Sequence, residues 1–355
     1  MNSKDQRVHS SPLSNELLLH IFESNLPPST LSQCTLCCKR WLPLASSVLY
    51  GRISLTTHTL SRWVESPSGS NDVMIKAFSL TIFHDGPITR QRTHRGWVMQ
   101  ALDDAETMDA RRQLHRSLKK LPSRLANMVN LRYFSHSSIM VPTNLWIPKT
   151  YIASIIDHVP RACTFLDINV MDTYDIAIDP HDLTVTEHSE QTHLCISIRR
   201  LLPQLRDLQL RLPDICPAAF GCGFDPDRPS SVARGFKPAG APCLEQCRIQ
   251  VADCAPPSFS QKTRLCGSPI GPVPVLASHL RAFKSPKNAP KLRELWMINF
   301  KIAGVGPATT LFAVHRDVVA NRRRVSPVIT PFALGNDTNP VHEPAEVTRD
   351  LLYMA

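Results

Sequence analysis

Leu31 to Trp41 reads LSQCTLCCKRW: three cysteines inside five residues, then two cations and a tryptophan. A zinc half-site, a redox pair and one face of a helix can all be built from such residues, and spacing separates them. Cys34, Cys37, Cys38 and Trp41 stand at i, i+3, i+4 and i+7, one helical stripe, while Lys39 and Arg40 fall off it toward solvent. Zinc needs further ligands at matching spacing. His20 belongs to another helical run, and no second Cys/His pair follows within about 50 residues. A redox CxxC pair belongs at a helix N-terminus after a strand, whereas these cysteines lie inside the run. A reduced cysteine packs as a small hydrophobe. The stripe therefore reads as a packed seam, with metal and redox roles as the alternatives.

Upstream, Leu13, Leu17, Leu18, Ile21 and Phe22 recur at helical spacing. Ser14 is placed to cap that helix, and Glu16 sits in the first turn, where the helix dipole favours a carboxylate. Pro27-Pro28 ends it near Asn25. Thr30 and Gln33 have capping-box spacing and predict the start of the second helix. Pro43 opens another turn, Leu44, Val48 and Leu49 continue the apolar pattern, and Leu49 to Leu55 alternates like a strand.

These residues resemble the F-box motif, L-P-x-E-[LI]-[LI]-x-x-I-[FL], a loop, then L-x-x-[CA]-x-x-V-[CS]-[KR]-x-W-x-x-[LI]-A. The chain matches with Leu13, Glu16, Leu17, Leu18, Ile21 and Phe22, then Leu31, Cys34, Cys38, Lys39, Trp41, Leu44 and Ala45. Two positions depart: Ser14 replaces the usual proline and Cys37 the usual valine. The resemblance implies a helical hook over residues 12–55 that docks on a Skp-type adaptor and, through it, on the cullin scaffold of a ubiquitin ligase. Leu13, Ser14, Glu16, Leu17, Leu18, Ile21, Phe22, Leu31, Cys34, Cys37 and Trp41 would be its adaptor-binding residues. So short a bundle buries little apolar surface alone, and a partner would complete its core.

Beyond residue 55 the signal is repetition. Five stretches combine a helix-like run, a Leu-x-x-Leu step and a short strand: those from Met128, Arg161, Leu201, Pro242 and Ala289. The clearest are Leu205-x-x-Leu208-x-Leu210 and Leu292-x-x-Leu295-x-Met297. They resemble leucine-rich repeats, but their gaps run from about 33 to almost 50 residues, against ~20–29 in regular ones. The expected fold is α+β or α/β: a three-helix F-box followed by an irregular leucine-rich-repeat-like solenoid over residues 56–300. An ordinary α/β domain is the alternative. Ile75, Ala77, Phe78, Leu80 and Ile82 suggest an alternating strand, and Leu114, Leu118, Leu121 and Leu125 a helix that Pro122 breaks or restarts. Residues 172–191, 213–242 and 255–274 read as loops. Leu311, Phe312, His315, Val318 and Val319 predict a capping helix within 301–325. Residues 1–11 read as a disordered tail and 326–355 as a loosely ordered one.

Composition narrows the function. Forty Lys plus Arg against 30 Asp plus Glu give +10, but the cations fall in short groups such as Arg322-Arg323-Arg324, and aromatics make up only 6%. No nucleic-acid partner is expected. The polar first residues show no secretory h-region, and no apolar run of ~18 residues occurs, so the expectation is a non-secreted protein without a membrane span, cytoplasmic and/or nuclear. Its eleven cysteines should then be mostly thiols, with Cys216 and Cys222 the exposed, oxidisable pair. His188 and His193 lack metal-site spacing, as do Cys243, Cys247, Cys254 and Cys266. No phosphate loop, nucleophile elbow or zinc-protease motif is present. Catalytic, metal and cofactor residues are therefore expected to be absent, and the target protein is unknown. The rival readings are an F-box module outside a ligase, and a metal- or nucleic-acid-binding protein with a chance match.

Overall fold

The computed structural model describes residues 13–24, 26–66, 71–84, 89–93, 96–100, 105–138, 147–170, 173–174, 194–212, 215–223, 235–251, 272–303 and 310–327. Three helices open the chain: α1 (Asn15–Glu23), α2 (Pro28–Cys37) and α3 (Trp41–Gly51). They enclose their own small core. A mixed α/β region follows, built on one nine-stranded sheet.

Its strands are β1 (Arg52–Thr56), β2 (Ser79–His84), β5 (Tyr133–Ser138), β7 (Phe165–Asn169), β9 (Asp207–Leu212), β12 (Gln246–Val251), β13 (Glu294–Ala303), β14 (Thr310–Asp317) and β15 (Arg322–Pro327). They lie side by side in chain order. From β1 to β13 every pairing is parallel; β14 and β15 join antiparallel. The crossover helices include α4 (Thr57–Glu65), α5 (Asn71–Lys76), α6 (Ala105–Leu125), α7 (Lys149–Asp157), α8 (Leu194–Leu201) and α9 (Pro272–Phe283). Residues of these helices share one buried core with the strands.

The leucines set this register. Leu80, Phe134, Leu166, Leu208, Cys247 and Leu295 lie abreast on successive strands, and all are buried. Two residues on, Ile82, His136, Ile168, Leu210, Ile249 and Met297 form a second buried row. Period two sends both rows to one face of the sheet. The preceding Leu131, Cys163, Leu244 and Leu292 each close a turn, donating their N–H to the carbonyl three residues back. The next carbonyl then accepts two N–H groups from the following strand's entry. Arg132 O takes Thr164 and Phe165, Thr164 O takes Arg206 and Asp207, and Arg206 O takes Glu245 and Gln246. All five stretches singled out in the sequence end in such a strand. A sixth, Ala77-x-x-Leu80-x-Ile82, escapes the pattern because alanine stands first.

Between these units lie short pairings: the hairpin of β3 (Thr89–Thr93) and β4 (Gly96–Gln100), β6 (Ile147–Pro148) with β8 (Thr173–Tyr174), and β10 (Gly221–Cys222) with β11 (Lys237–Pro238). The last pair and a 3-10 turn at Pro217–Ala219 give structure to part of the expected loop 213–242. Pro122 neither breaks nor restarts α6; it lies in the helix's last turn, where little helix remains to disrupt.

The capping helix expected within 301–325 is a β-hairpin. The same apolar residues suit a strand, and the open edge of β13 supplies backbone partners that an isolated helix would not have. Asn321 takes φ +53° in the connecting turn, a conformation asparagine tolerates. Similarly, the strand expected at Leu49–Leu55 begins only at Arg52, and Ile75 belongs to α5. Residues 1–11, 328–355, His188, His193, Cys254 and Cys266 lie outside the described residues.

On β2 and β5, two neighbouring core positions carry histidine. His84 Nε2 and His136 Nε2 are 2.7 Å apart, both rings are buried, and His84 Nδ1 lies 3.3 Å from Thr57 Oγ1. One ring donates and the other accepts, so that contact excludes two imidazolium ions. Burial pulls His84 down to about 4, and burial plus His84 holds His136 well below the ordinary 6.5. Between those values the unfolded chain binds more protons than the folded one, so the stability present above pH 6.5 is lost as pH falls toward 4. The urea midpoint of wild type is expected to drop on going from about pH 7 to about pH 5. His84→Leu/His136→Ile should flatten that slope; an unchanged slope would contradict the assignment.

Candidate docking site

The α1–α3 unit is built from local signals. Ser14 caps α1, its Oγ accepting the Leu17 N–H at 3.3 Å, with extended backbone at φ −64° and ψ 159°. The serine thus supplies the entry geometry that proline would have fixed. Glu16 occupies the first turn, where its own backbone N–H, the Ser14 hydroxyl and Arg40 hold its carboxyl below the ordinary value. The second helix does not start at the Thr30–Gln33 box. It begins earlier, with Pro28 in its first turn, where the missing N–H costs nothing.

The expected site residues divide between two faces. Leu18, Phe22, Leu31 and Cys34 are buried with Ala45, and Trp41 packs edge-on against Phe22 at 5.6 Å. Leu17 and Ile21, spaced by four on the other side of α1, are 53% and 43% exposed, and Leu13, just before the Ser14 cap, is 51% exposed. These apolar side chains are left to solvent although the helix is capped and packed, which makes the face a candidate docking surface.

The cysteine seam is corrected. Cys38 is extended (φ −161°, ψ 161°) and ends α2, so the run of i, i+3, i+4 and i+7 spans two helices. Cys34 alone of the three is buried; Cys37 and Cys38 are exposed. Arg40 is exposed, as expected, and also ties the turn back to α1, donating from Nε to Asn15 Oδ1 at 2.9 Å and from its other end to the Leu13 carbonyl. Sequence reading also missed Leu36 on α2 and Leu42 on α3, 84% and 48% exposed. A leucine outside the buried stripe was the available signal.

The unit is joined tightly to the sheet. α3 runs directly into β1, and the Phe78 N–H donates to the Gly51 carbonyl at 2.9 Å. A Cβ at Gly51 would stand 2.6 Å from the Phe78 ring, so glycine permits this approach. Arg52 lies over the same ring at 5.7 Å.

Elsewhere, the thiols sort differently from expectation. Cys222 is exposed, but Cys216 is buried, its N–H donating to Cys195 Sγ at 3.4 Å. Burial pushes the Cys163 thiol up to about 12 and raises Cys247 too, which disfavours the thiolate a metal would bind. Among the described residues no three His, Cys, Asp or Glu side chains group as metal ligands, and no helix is long and apolar enough to cross a membrane.

A family model described as F-box-like matches residues 15–56. That span covers α1 to α3 and β1, which agrees with the three-helix reading of the first 55 residues. Among curated proteins, none matches the chain.

Proposed function

We propose that the chain is the substrate-recognition subunit of an SCF-type ubiquitin ligase. Residues 12–55 dock on the Skp-type adaptor, and the region from 56 to 300 binds a target protein. The observation that carries this is the exposure of Leu17 and Ile21 on a capped, well-packed helix inside an F-box-like match, with Leu13 exposed just before its cap. F-box-like domains generally bind Skp-type adaptors, and they suggest a role in such ligases. The chain itself is non-catalytic. It acts by tethering, raising the effective concentration of target lysines near a transfer site held by other subunits.

The target-binding region is a leucine-rich-repeat-like solenoid with long insertions. Its support is the chain-order parallel sheet, the two buried rows across six strands and the repeating entry carbonyls. The place of action is cytoplasmic and/or nuclear.

A second reading keeps the adaptor and removes the ligase: an adaptor-bound regulatory module. Precipitation of the chain from cells after proteasome inhibition separates the two. The receptor reading expects the cullin scaffold and ubiquitin-modified proteins alongside the adaptor. Adaptor without cullin would overturn it in favour of the module.

A further inference from the structure

We propose that β15 is a docking edge for an acidic, extended polypeptide segment, which joins the sheet as a further strand. Among the described residues β15 pairs with β14 alone, so one side of its backbone has no strand partner. Arg322, Arg323 and Arg324 follow one another along it, all exposed; Arg322 stands opposite Asp317 in the ladder, but among the described residues none of the three forms an ion pair. Across the ladder Arg323 stands opposite Arg316, and Arg324 opposite His315. Like charges directly opposite each other oppose sheet formation. His315 registers the field: burial first, and Arg324 second, hold it below its ordinary value.

The sole acid of the hairpin is Asp317, and its Oδ1 closes the turn by accepting the Ala320 N–H at 2.8 Å. Elsewhere along the sheet two arginines are ion-paired: Arg206, at the entry of β9, with Glu245 at 3.1 Å, and Arg248 on β12 with Glu294 at 3.2 Å. The edge therefore concentrates positive charge of the kind that is ion-paired at Arg206 and Arg248. One-signed charge keeps a second copy of β15 away and selects an oppositely charged strand. Period two puts Arg322 and Arg324 on one face, so a segment with acids at alternate positions can meet both. Strand addition supplies backbone affinity, and the arginines supply selectivity. The inference does not rest on adaptor docking.

The test uses the full chain and a fluorescein-labelled octapeptide alternating glutamate and threonine. Its partners are a glutamine–threonine peptide, an N-methylated acidic peptide and an oligothymidine, all read by anisotropy. The acidic peptide is expected to bind at least about tenfold tighter than the glutamine and N-methylated forms. Arg322→Gln/Arg324→Gln should remove that advantage without changing the melting temperature. Should that variant unfold, slowed amide exchange at Arg322–Pro327 of wild type on adding the peptide decides instead. Equal binding of the N-methylated peptide, tighter binding of oligothymidine, or indifference to the arginine change would each overturn the proposal.

Discussion

Leu17→Asp/Ile21→Asp is expected to fold like wild type and to lose the Skp-type adaptor. Both side chains lie on the open face of α1, 53% and 43% exposed, so the free chain gives up little packing. The complex gives up far more. Fully burying a leucine or isoleucine is worth about 1.5–3 kcal/mol, and an unpaired carboxylate in its place adds a desolvation cost. Together these predict a loss of at least about a hundredfold in Kd. Titration of the full chain with purified adaptor checks it, with circular dichroism and melting temperature as fold controls. An unchanged Kd would remove this face from the interface.

Leu210→Ala is expected to produce the largest loss of stability. Leu210 is 1% exposed at the middle of the second buried row, between Ile168 on β7 and Ile249 on β12. A buried leucine cut to alanine in a well-packed core costs about 2–5 kcal/mol. Because β9 pairs with both β7 and β12, the loss should weaken both flanking strands. Arg248→Ala on the opposite face of the same sheet is the comparison, with a cost of about 1 kcal/mol or less because its pairing with Glu294 is solvent-accessible. Urea unfolding monitored by circular dichroism separates the two. Equal midpoints would contradict the placement of the core.

What the residues revealed in advance depended on how local the signal was. Ser14, Leu18, Phe22 and Leu31 behave as spacing and capping rules require, because a helix start and its buried stripe are written within a few residues. The five strand-bearing stretches were legible for the same reason: Leu-x-x-Leu-x-Leu holds both the turn and the buried face. Cys37 and Cys38 were misplaced because one extended residue, Cys38, splits a run whose spacing alone fits a single helix. The terminal hairpin was misread because its partner, β13, lies outside the window in which periodicity is judged. Arg40 faces solvent as expected, but its bonds to Asn15 and Leu13 were missed, since those acceptors are some 25 residues away in the chain. Which apolar residues of α1 face the core and which face out could not be separated by spacing alone, since both sets recur with helical period.

The most direct test of adaptor docking by the N-terminal helices is amide hydrogen exchange of the full chain, alone and in complex with a Skp-type adaptor. A one-to-one complex is expected, in which protection rises across Asn15–Gly51, most in α1, while β5 to β13 exchange as before. No complex, or protection confined to the sheet with α1 unchanged, would contradict adaptor docking.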